Sequence, residues 1–468
     1  MTPAASPSPL TVGVQVGNGV TGRLRLAMST SFQPAGYNAW FFTSFPAATT
    51  PLANLRPRHV RLQPLFEGVP QRSASDWDFS VVDAFAQPVL GVGDRSPEFQ
   101  VAVAPDFMYD SGHHLADATY RDFAGYAQNL VRYYNRGGFS APDGHHRSAS
   151  GHPITWWGIY NEPNINGVAA ADYPRMYDVV VPAMLAVDPG LKFAALELAD
   201  FGDQEQQFLP PFVQAVTARV DVLATHFYSS CSQTDDDQQI FATVPGFAGG
   251  VRYIEAQLAS RAALARVPVW ITENNVNADY DAGNGRSACN PGQPFVTDGR
   301  GSSAFFAAWR PFVFSQVGKA GAQALYHWAF PGDAQYGELD DSNGTPRLSY
   351  WVDYWLAHLF PANPGADILQ YSGGAADLEV LPVRNDDGSV VVMISNHAVA
   401  KAADNNGPGV PRTVSVGVGD LGAFSQADAL VLDRSTDRAK GPVATTLTPA
   451  STLEVTIDGY GVAFLRLR

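Results

Sequence analysis

A glutamate follows a short apolar run in the middle of the chain, in the segment ITWWGIYNEPN at residues 154–164. Such a run is typical of a buried strand. Pro163 ends it, because proline cannot donate a hydrogen bond to a sheet and restricts the residue before it. We therefore expect Glu162 at the end of this strand. An apolar neighbourhood favours a protonated carboxyl, which suits a general acid, whereas a solvated strand end is the alternative. The aromatic residues close to it in sequence are Trp156, Trp157 and Tyr160.

The elements around this segment predict where its glutamate lies. Strand and helix patterns alternate about eight times between residues 23 and 360, which predicts a parallel sheet closed into a (β/α)8 barrel. The working residues of such barrels lie at the C-terminal ends of the strands. This rule assigns Glu162 to the end of the fourth strand and Glu273, in VWITENN, to the end of the seventh.

The same rule selects further residues at the mouth of the barrel. His226 and Tyr228 follow the sixth strand in THFY, Trp328 ends the eighth in LYHWAF, and Arg61 ends the second in HVRLQ. Two carboxylates at one mouth are what glycoside hydrolysis requires, since one protonates the leaving oxygen while the other attacks the anomeric carbon. A separation of about 5–5.5 Å permits a covalent intermediate.

The remaining chain divides near the proline-rich residues 361–364. Residues 361–468 contain short β-rich runs separated by Gly, Pro and Asp, which predicts a β-sandwich, whereas residues 23–360 form the barrel. Residues 1–22 are expected to be an N-terminal stub and a strand, and the stretch 11–16 is a candidate to pair with the sandwich.

Composition and charge exclude several classes of protein. A chain of 468 residues, 46% of them hydrophobic, is long enough for two folded domains. The net charge of −15 argues against a nucleic-acid partner, and no apolar run reaches the roughly 18–20 residues that cross a membrane. The start, MTPAASPSPL, lacks a signal peptide but resembles the stub that follows a removed one. We therefore expect a secreted or extracytoplasmic protein.

These motifs resemble the retaining clan A glycoside hydrolases, which carry NEP on strand four and a second glutamate on strand seven. Within that clan, HVRLQ, NEPN, THFY, ITEN and the C-terminal sandwich are most similar to glycoside hydrolase family 39, over about residues 50–360. That family includes β-xylosidases, α-L-iduronidases and polysaccharide-cleaving enzymes. The resemblance implies a (β/α)8 barrel with a C-terminal β-sandwich, a carbohydrate substrate and no cofactor.

Carried over to this chain, the resemblance implies that Glu162 is the acid/base and Glu273 the nucleophile. It also implies supporting roles: Asn161 binds the sugar 2-hydroxyl, Arg61 keeps the nucleophile ionised, His226 and Tyr228 orient nucleophile and sugar, and Trp328 is a platform under the ring. These roles agree with elementary physics. An arginine beside a carboxylate favours its ionised form, and aromatic faces suit the C–H faces of sugars.

The chain also departs from the family pattern. The family often has an aromatic residue after the nucleophile, whereas this chain has Asn274, and the stretches 137–153 and 279–299 look like long decorated loops. The substrate therefore stays open between β-xylosidase-like or polysaccharide-degrading activity and, as the alternative, an α-L-arabinofuranosidase or endo-glycanase. The rival from another class is a non-catalytic carbohydrate-binding protein, which predicts the loss of one carboxylate. Exo or endo action, oligomeric state and glycan binding by the sandwich are not decided.

The two cysteines predict a disulfide between loops of the barrel. Cys231 follows strand six and Cys289 lies in the loop after strand seven, so neighbouring strands bring both to the same rim. Two free thiols are the alternative. The histidine pairs at 113–114 and 145–146 lack convincing partner carboxylates, so we expect no metal site.

Overall fold

Eight parallel strands close into a barrel in the computed structural model, which describes residues 10–92, 96–149, 151–200 and 202–468. Each strand pairs in parallel with its neighbours, and strand eight pairs with strand one. The predicted (β/α)8 barrel is confirmed. Barrel strands one to eight are Ala27–Ser31, Val60–Leu62, Glu98–Val101, Trp156–Ile159, Lys192–Leu198, Val222–Ser230, Val269–Asn277 and Ala324–Trp328.

Helices follow every barrel strand and form the outer layer. Helix Arg121–Asn135 shows why they form, because its apolar residues recur at helical spacing and its buried face includes Phe123, Ala127, Leu130 and Tyr134. The α-helices are Ala35–Asn38, Phe41–Ser44, Thr49–Leu55, Ser80–Gly91, Arg121–Asn135, Tyr173–Val187, Asp203–Ala215, Asp237–Ala259, Ala304–Ala320 and Leu348–Leu359.

Large side chains fill the N-terminal half of the barrel. The rings of Trp156 and Trp270 lie 4.5 Å apart, and the ring of His59 lies 4.3 Å from that of Trp270. Small residues from the neighbouring strands, Ala194, Val222, Ala224 and Ala324, complete this layer together with Tyr326. The layer is a floor, and it leaves the C-terminal ends of the strands as the place where a site can form.

A nine-stranded sheet makes up the second part of the molecule. Residues from both halves of this sheet, such as Val455 and Leu465, share one buried core, so the sheet folds into two packed layers. The expected C-terminal β-sandwich is confirmed. Its strands, from one edge to the other, are Thr445–Leu447, Ala427–Asp433, Gly461–Leu467, Val390–Asn396, Leu378–Arg384, Ala366–Gly373, Leu10–Leu24, Arg412–Gly417 and Thr452–Ile457.

The N-terminal strand belongs to this sandwich. Leu10–Leu24 pairs antiparallel with Ala366–Gly373 and parallel with Arg412–Gly417. Residues 23–24 end this sandwich strand, and the first barrel strand begins at Ala27. The chain therefore crosses from sandwich to barrel at residues 25–26.

Apolar packing and a charged cluster around Glu379 join the two parts. The ring of Phe360, which follows the last barrel helix, lies 5.3 Å from that of Phe314 and 6.2 Å from that of Phe464 in the sandwich. Glu379 of the sandwich accepts hydrogen bonds from Ser315 at 2.5 Å and from Lys319 at 2.6 Å, both on helix Ala304–Ala320. The sandwich is thus fixed to the outer helix layer.

The stretch at residues 137–153 is more ordered than a plain loop. It precedes barrel strand four and contains a short antiparallel hairpin, Phe139–Ala141 with Gly144–His146. The ring of Phe139 in this hairpin packs against the ring of Trp77, and the ring centroids are 4.8 Å apart.

Among the described helices, none combines the length and the apolar content that a membrane crossing requires.

A disulfide joins the segments that follow barrel strands six and seven. Cys231 and Cys289 are bonded, with Cα atoms 5.8 Å apart and a sequence separation of 58 residues. The amide of Asn290 also donates to the carbonyl of Cys231 at 2.9 Å. The crosslink therefore ties the long segment after strand seven to the neighbouring strand.

Replacing both cysteines by alanine should lower the free energy of unfolding by about 2–4 kcal/mol, because the crosslink restricts the unfolded chain. Urea unfolding of the wild type and the double variant, each with and without a reductant, measures the effect. We expect the reductant to destabilise the wild type alone. Equal stability of the two proteins under oxidising conditions would contradict the structural role of the disulfide.

Candidate active site

Glu273 lies inside barrel strand seven and not at its end. Strand seven continues to Asn277 and is buried along its whole length. The strand continues because its polar residues find partners, as when the amide of Asn274 donates to the carbonyl of Phe227 at 2.7 Å. The expectation that Glu273 ends its strand is therefore wrong, although its side chain still reaches the mouth, where about 6% of it is exposed.

His226 and Tyr228 also lie within their strand, which runs from Val222 to Ser230, and not after it. His226 stands directly beside Glu273 in the register of the two strands. The hydroxyl of Tyr228 donates to Oε2 of Glu273 at 2.7 Å. Burial raises the pKa of Tyr228 well above its ordinary value, and the charge of Glu273 raises it further, so the phenol stays protonated and remains a donor.

Arg61 is fully buried on strand two and holds Glu273 from the other side. Its Nη1 donates to Oε1 of Glu273 at 2.7 Å, and its Nη2 lies 2.7 Å from Oδ1 of Asn161 and 2.9 Å from Oε2 of Glu197. Burial alone would lower the pKa of Arg61, but the charges of Glu197 and Glu273 outweigh burial and raise it. The guanidinium therefore stays charged.

Glu162 follows strand four after a sharp bend of the backbone. The strand ends at Ile159, and Glu162 has a φ of 47°, in the left-handed region. Its N–H donates to the carbonyl of Glu197 at 2.9 Å, and about 19% of its side chain is exposed. The expectation that Glu162 directly ends the strand is therefore wrong, because Tyr160 and Asn161 lie between the end of the strand and Glu162.

The aromatic residues near Glu162 in sequence do not form its wall. Trp156 lies on the barrel floor, and Trp157 faces the helix layer, with its ring 5.2 Å from that of Phe99. Successive residues of a strand point to opposite faces, so sequence proximity does not bring both rings to the mouth. The hydroxyl of Tyr160 lies 3.0 Å from that of Tyr109 and supports the loops below Glu162.

Asn161 presents its amide with a defined orientation. Its Oδ1 accepts hydrogen bonds from Arg61 at 2.7 Å and from Nε2 of Gln63 at 3.3 Å. Because the oxygen faces these donors, the amide nitrogen is left to donate into the pocket. Trp328 ends strand eight as predicted and is half-buried there, and the amide of Asn275 donates to its carbonyl.

His226 lies between the two mouth glutamates. Its Nδ1 is 2.8 Å from Oε1 of Glu162 and 3.6 Å from Oε2 of Glu273, and its Nε2 is 3.3 Å from Oε2 of Glu197. Burial would lower the pKa of His226, but the charge of Glu273 and the hydrogen bonds to Glu162 and Glu197 outweigh it. These contacts raise the pKa to about 9, so both ring nitrogens carry protons at neutral pH.

One oxygen of Glu162, one of Glu273 and a ring nitrogen of His226 all lie within 4.8 Å of one another. Three such ligand atoms are also a possible metal site. The guanidinium of Arg61 lies 2.7 Å from Glu273 and disfavours a second cation beside that carboxylate. The arrangement therefore suits a pair of carboxyl groups working on one bond better than it suits a metal.

A second convergence of possible ligands, His327, Glu338 and Asp353, is fully buried. Arg310 occupies it, with Nε 3.0 Å from Oδ1 of Asp353. Burial raises the pKa of Glu338 well above its ordinary value, so this carboxyl is neutral. The histidine pairs at 113–114 and 145–146 belong to neither convergence in the described chain.

Two residues of this site were missed by the sequence analysis. Gln63 donates to Glu273 at 3.2 Å, and its position two residues after Arg61 on the same strand was a usable signal. Glu197 contacts Arg61 and His226, and a glutamate within the apolar strand KFAALEL was the sign that a charge is buried there. Gln63 is the last residue of the HVRLQ motif, whereas Glu197 lies outside the motifs that carried the resemblance.

No family model matches the sequence, and no curated relative matches it. Solved structures match along the whole chain. A monomeric β-xylosidase from Caulobacter crescentus CB15 is 16% identical, with a TM-score of 0.66 over 98% of this chain and 99% of that one.

Two further structures extend this match. A GH39 enzyme from Xanthomonas axonopodis pv. citri is 14% identical, with a TM-score of 0.65 over 99% of this chain and all of that one (100%). An α-L-arabinofuranosidase from Thermotoga maritima is 14% identical, with a TM-score of 0.64 over 97% and 99% of the two chains. This chain shares their fold. Both the barrel and the sandwich are included, because the coverage is nearly complete.

The raised pKa of His226 predicts a defined pH dependence of stability. The imidazolium contributes stability that is fully present below its ordinary pKa of 6.5 and is lost as the pH rises through about 9. We expect the stability difference between the wild type and His226→Gln to shrink by about 1–3 kcal/mol between about pH 6 and pH 9.5. Urea unfolding at both pH values measures it. A difference that does not change with pH would show that His226 is not held as an imidazolium.

Proposed function

We propose that the chain is a retaining glycoside hydrolase that acts through Glu273 as nucleophile and Glu162 as acid/base. The observation that carries the proposal is the approach of their carboxylate oxygens to within 4.8 Å. Retaining enzymes place the two carboxyl groups about 5–5.5 Å apart, whereas inverting enzymes need about 6.5–9.5 Å to admit a water molecule. The structural likeness to the β-xylosidase and the α-L-arabinofuranosidase described above supports the same reaction class.

The environments of the two glutamates support different roles. Glu273 is held by donors on both sides, Arg61 at 2.7 Å and Tyr228 at 2.7 Å, which stabilise a carboxylate and aim it as a nucleophile. Glu162 is more exposed and projects from a bent loop, which suits a group that exchanges a proton with substrate and then with water.

The proposed hydrolysis proceeds in two steps. In the first, an oxygen of Glu273 forms a bond to the anomeric carbon while the bond to the leaving oxygen breaks, and Glu162 gives that oxygen its proton. In the second, Glu162 takes a proton from water, the water oxygen bonds to the anomeric carbon, and the bond to Glu273 breaks. We propose that the amide nitrogen of Asn161 donates to the sugar and that Trp328 supports its ring.

The imidazolium of His226 interacts with the negative charge on both glutamates during this mechanism. The first step neutralises Glu273 by forming an ester and leaves Glu162 negative, so the negative charge moves from one carboxyl to the other. The imidazolium lies 2.8 Å from Glu162 and 3.6 Å from Glu273 and therefore interacts with the charge in both places. A cation fixed between the two positions needs no reorganisation during the step.

Exposed aromatic and apolar side chains around the mouth support a carbohydrate substrate. Of the eleven exposed large hydrophobic residues in the described chain, seven lie on segments that follow barrel strands. Burial raises the pKa of Tyr280, and the charge of Glu162 raises it further. The seven residues are Tyr37, Trp40, Phe66, Phe107, Ile165, Tyr280 and Val296.

The two carboxyl variants should respond differently to the leaving group. Glu273→Gln should be inactive on every substrate because no covalent bond can form. Glu162→Gln should lose about 10²–10⁴-fold in activity on unactivated glycosides but little in the first step with a dinitrophenyl glycoside, whose leaving group needs no proton. The measurement is hydrolysis of dinitrophenyl and alkyl β-xylosides, β-glucosides and α-L-arabinofuranosides, with the product anomer followed by NMR.

The products of the wild type in the same experiment test whether the chain is a retaining glycoside hydrolase. Retained configuration on one of these sugars supports the mechanism and identifies the glycone. An inverted product would remove Glu273 as nucleophile. Binding of xylan or arabinan without hydrolysis of any substrate would identify a carbohydrate-binding protein instead.

We propose that the exposed ring of Tyr280, which follows strand seven on the C-terminal side of the barrel, packs against the leaving part of the substrate. Tyr280→Ala should then lower kcat/KM for oligosaccharides by about three- to tenfold. Aryl monoglycosides, which have no sugar there, should be affected less. Tyr280→Phe keeps the ring and should retain most activity, and Tyr371→Ala, an exposed tyrosine on the sandwich strand Ala366–Gly373, is the matched control. An equal loss on both substrate types would exclude a sugar platform at Tyr280.

We also propose that the protein works in an oxidising, extracytoplasmic environment. The disulfide between Cys231 and Cys289 supports this location, since such bonds persist mainly outside the reducing cytosol. Fractionation of the native host with an antibody to the chain tests it, and a protein found only in the cytosol would contradict it.

A further inference from the structure

A third glutamate lies directly beneath the two at the mouth. Glu197, on barrel strand five, is fully buried, and its Oε2 collects several donors. Nη2 of Arg61 lies 2.9 Å from this oxygen, Nε2 of His226 lies 3.3 Å from it, and Oγ1 of Thr272 donates to it at 2.8 Å. One oxygen therefore contacts both cations that flank the mouth glutamates.

The backbone of Glu197 is tied to the site as well. Leu196 and Glu197 have φ values of 77° and 50°, and the register between strands five and six shifts at this point. Two non-glycine residues in the left-handed region carry a cost that the surrounding structure must offset. The bend brings the carbonyl of Glu197 within 2.9 Å of the N–H of Glu162, so Glu197 fixes the main chain of the acid/base.

A neighbouring glutamate completes the charge balance. Burial raises the pKa of Glu98 well above its ordinary value, as does the charge of Glu197, so Glu98 is protonated and forms a hydrogen bond with Glu197. Burial would raise the pKa of Glu197 too, but Arg61 and His226 outweigh it and lower it to about 2. Oε1 of Glu98 and Oε1 of Glu197 are both buried and accept no hydrogen bond from another residue, and one proton shared between the two glutamates satisfies both oxygens.

Gly158 on strand four leaves space for this arrangement. A Cβ at this position would lie 2.6 Å from Oε1 of Glu197 and 2.9 Å from Nε2 of Gln100. Glycine in a strand interior weakens the strand and often marks a close approach of another group. Here the approaching group is the Glu197 carboxylate.

We propose that Glu197 is a positioning residue of the active site, holding Arg61 and His226 with its carboxylate and Glu162 with its carbonyl. The inference deepens the proposed function and rests on it for the catalytic consequence. Glu197 does not touch the reacting atoms. It acts by keeping the imidazolium between the two mouth glutamates.

The first test needs no substrate. In ¹⁵N-histidine-labelled protein, NMR follows the titration of the His226 ring, which is assigned by its absence in His226→Gln. Glu197→Gln removes a negative charge from Nε2 while keeping the shape of the side chain, so the midpoint should fall by about one pH unit or more. Glu338→Gln is the matched control, because Glu338 is another buried glutamate and accepts a hydrogen bond from Thr30; this variant should leave the midpoint in place.

The second test uses the substrate that the glycoside panel identifies. Glu197→Gln should lower kcat by about tenfold or more with little change in KM, and the alkaline limb of the pH profile should move to lower pH. A folded Glu197→Gln protein with an unchanged His226 midpoint and an unchanged pH profile would overturn the proposal. If no glycoside is hydrolysed by the wild type, the proposed function fails, while the NMR titration still decides the role of Glu197.

Two further variants separate positioning from loss of folding. If Glu197→Gln does not fold, Gly158→Ala displaces the carboxylate without removing its charge and should also lower the His226 midpoint; no change would overturn the proposal. Glu98→Gln supplies an amide donor in place of the shared proton, so its His226 midpoint should stay within about 0.3 pH units of the wild type. If the His226 midpoint fell in Glu98→Gln as far as it does in Glu197→Gln, the proton shared between Glu98 and Glu197 would be contradicted.

Discussion

The buried guanidinium of Arg61 is the constraint on which the barrel mouth depends. An unpaired charge at a fully buried position is strongly destabilising, so carboxylates must accompany it. Glu273 lies at 2.7 Å and Glu197 at 2.9 Å from its two terminal nitrogens. The pairing fixes strands two, five and seven relative to one another at the level where a substrate would bind.

A second cation extends this arrangement to the other mouth glutamate. His226 contacts Glu162 with one ring nitrogen and Glu197 with the other, and a proton on each nitrogen is what both contacts require. The charges of the site therefore form a connected set rather than isolated pairs. Removal of one member leaves another buried charge without its partner, which is more costly than the loss of one hydrogen bond.

Much of this architecture could be predicted from the sequence. The alternation of strand and helix patterns identified the barrel, and the rule that working residues stand at strand ends led to both mouth glutamates. The rule succeeded although Glu273 lies within its strand, because the strand extends beyond the mouth and its asparagines bond within the sheet. Strand ends are set by such side-chain contacts, which the local pattern does not contain.

Other features depend on contacts between distant segments and had no local signal. Trp156 and Trp157 are close to Glu162 in sequence but do not line it in space, because their rings point to opposite faces of the sheet. The role of Gly158 becomes visible only when the Glu197 carboxylate is placed above it. The distance between the mouth oxygens, which favours retention over inversion, likewise depends on the closed barrel as a whole.

Trapping of the covalent intermediate tests the central claim most directly. A 2-deoxy-2-fluoro glycosyl fluoride of the sugar that the panel identifies slows both steps, and hydrolysis of the trapped ester slows more. Peptide mapping by mass spectrometry should then find one added glycosyl group on the peptide that contains Glu273, and none in Glu273→Gln. A label on Glu162, or rapid turnover to an inverted product with no label, would contradict the account.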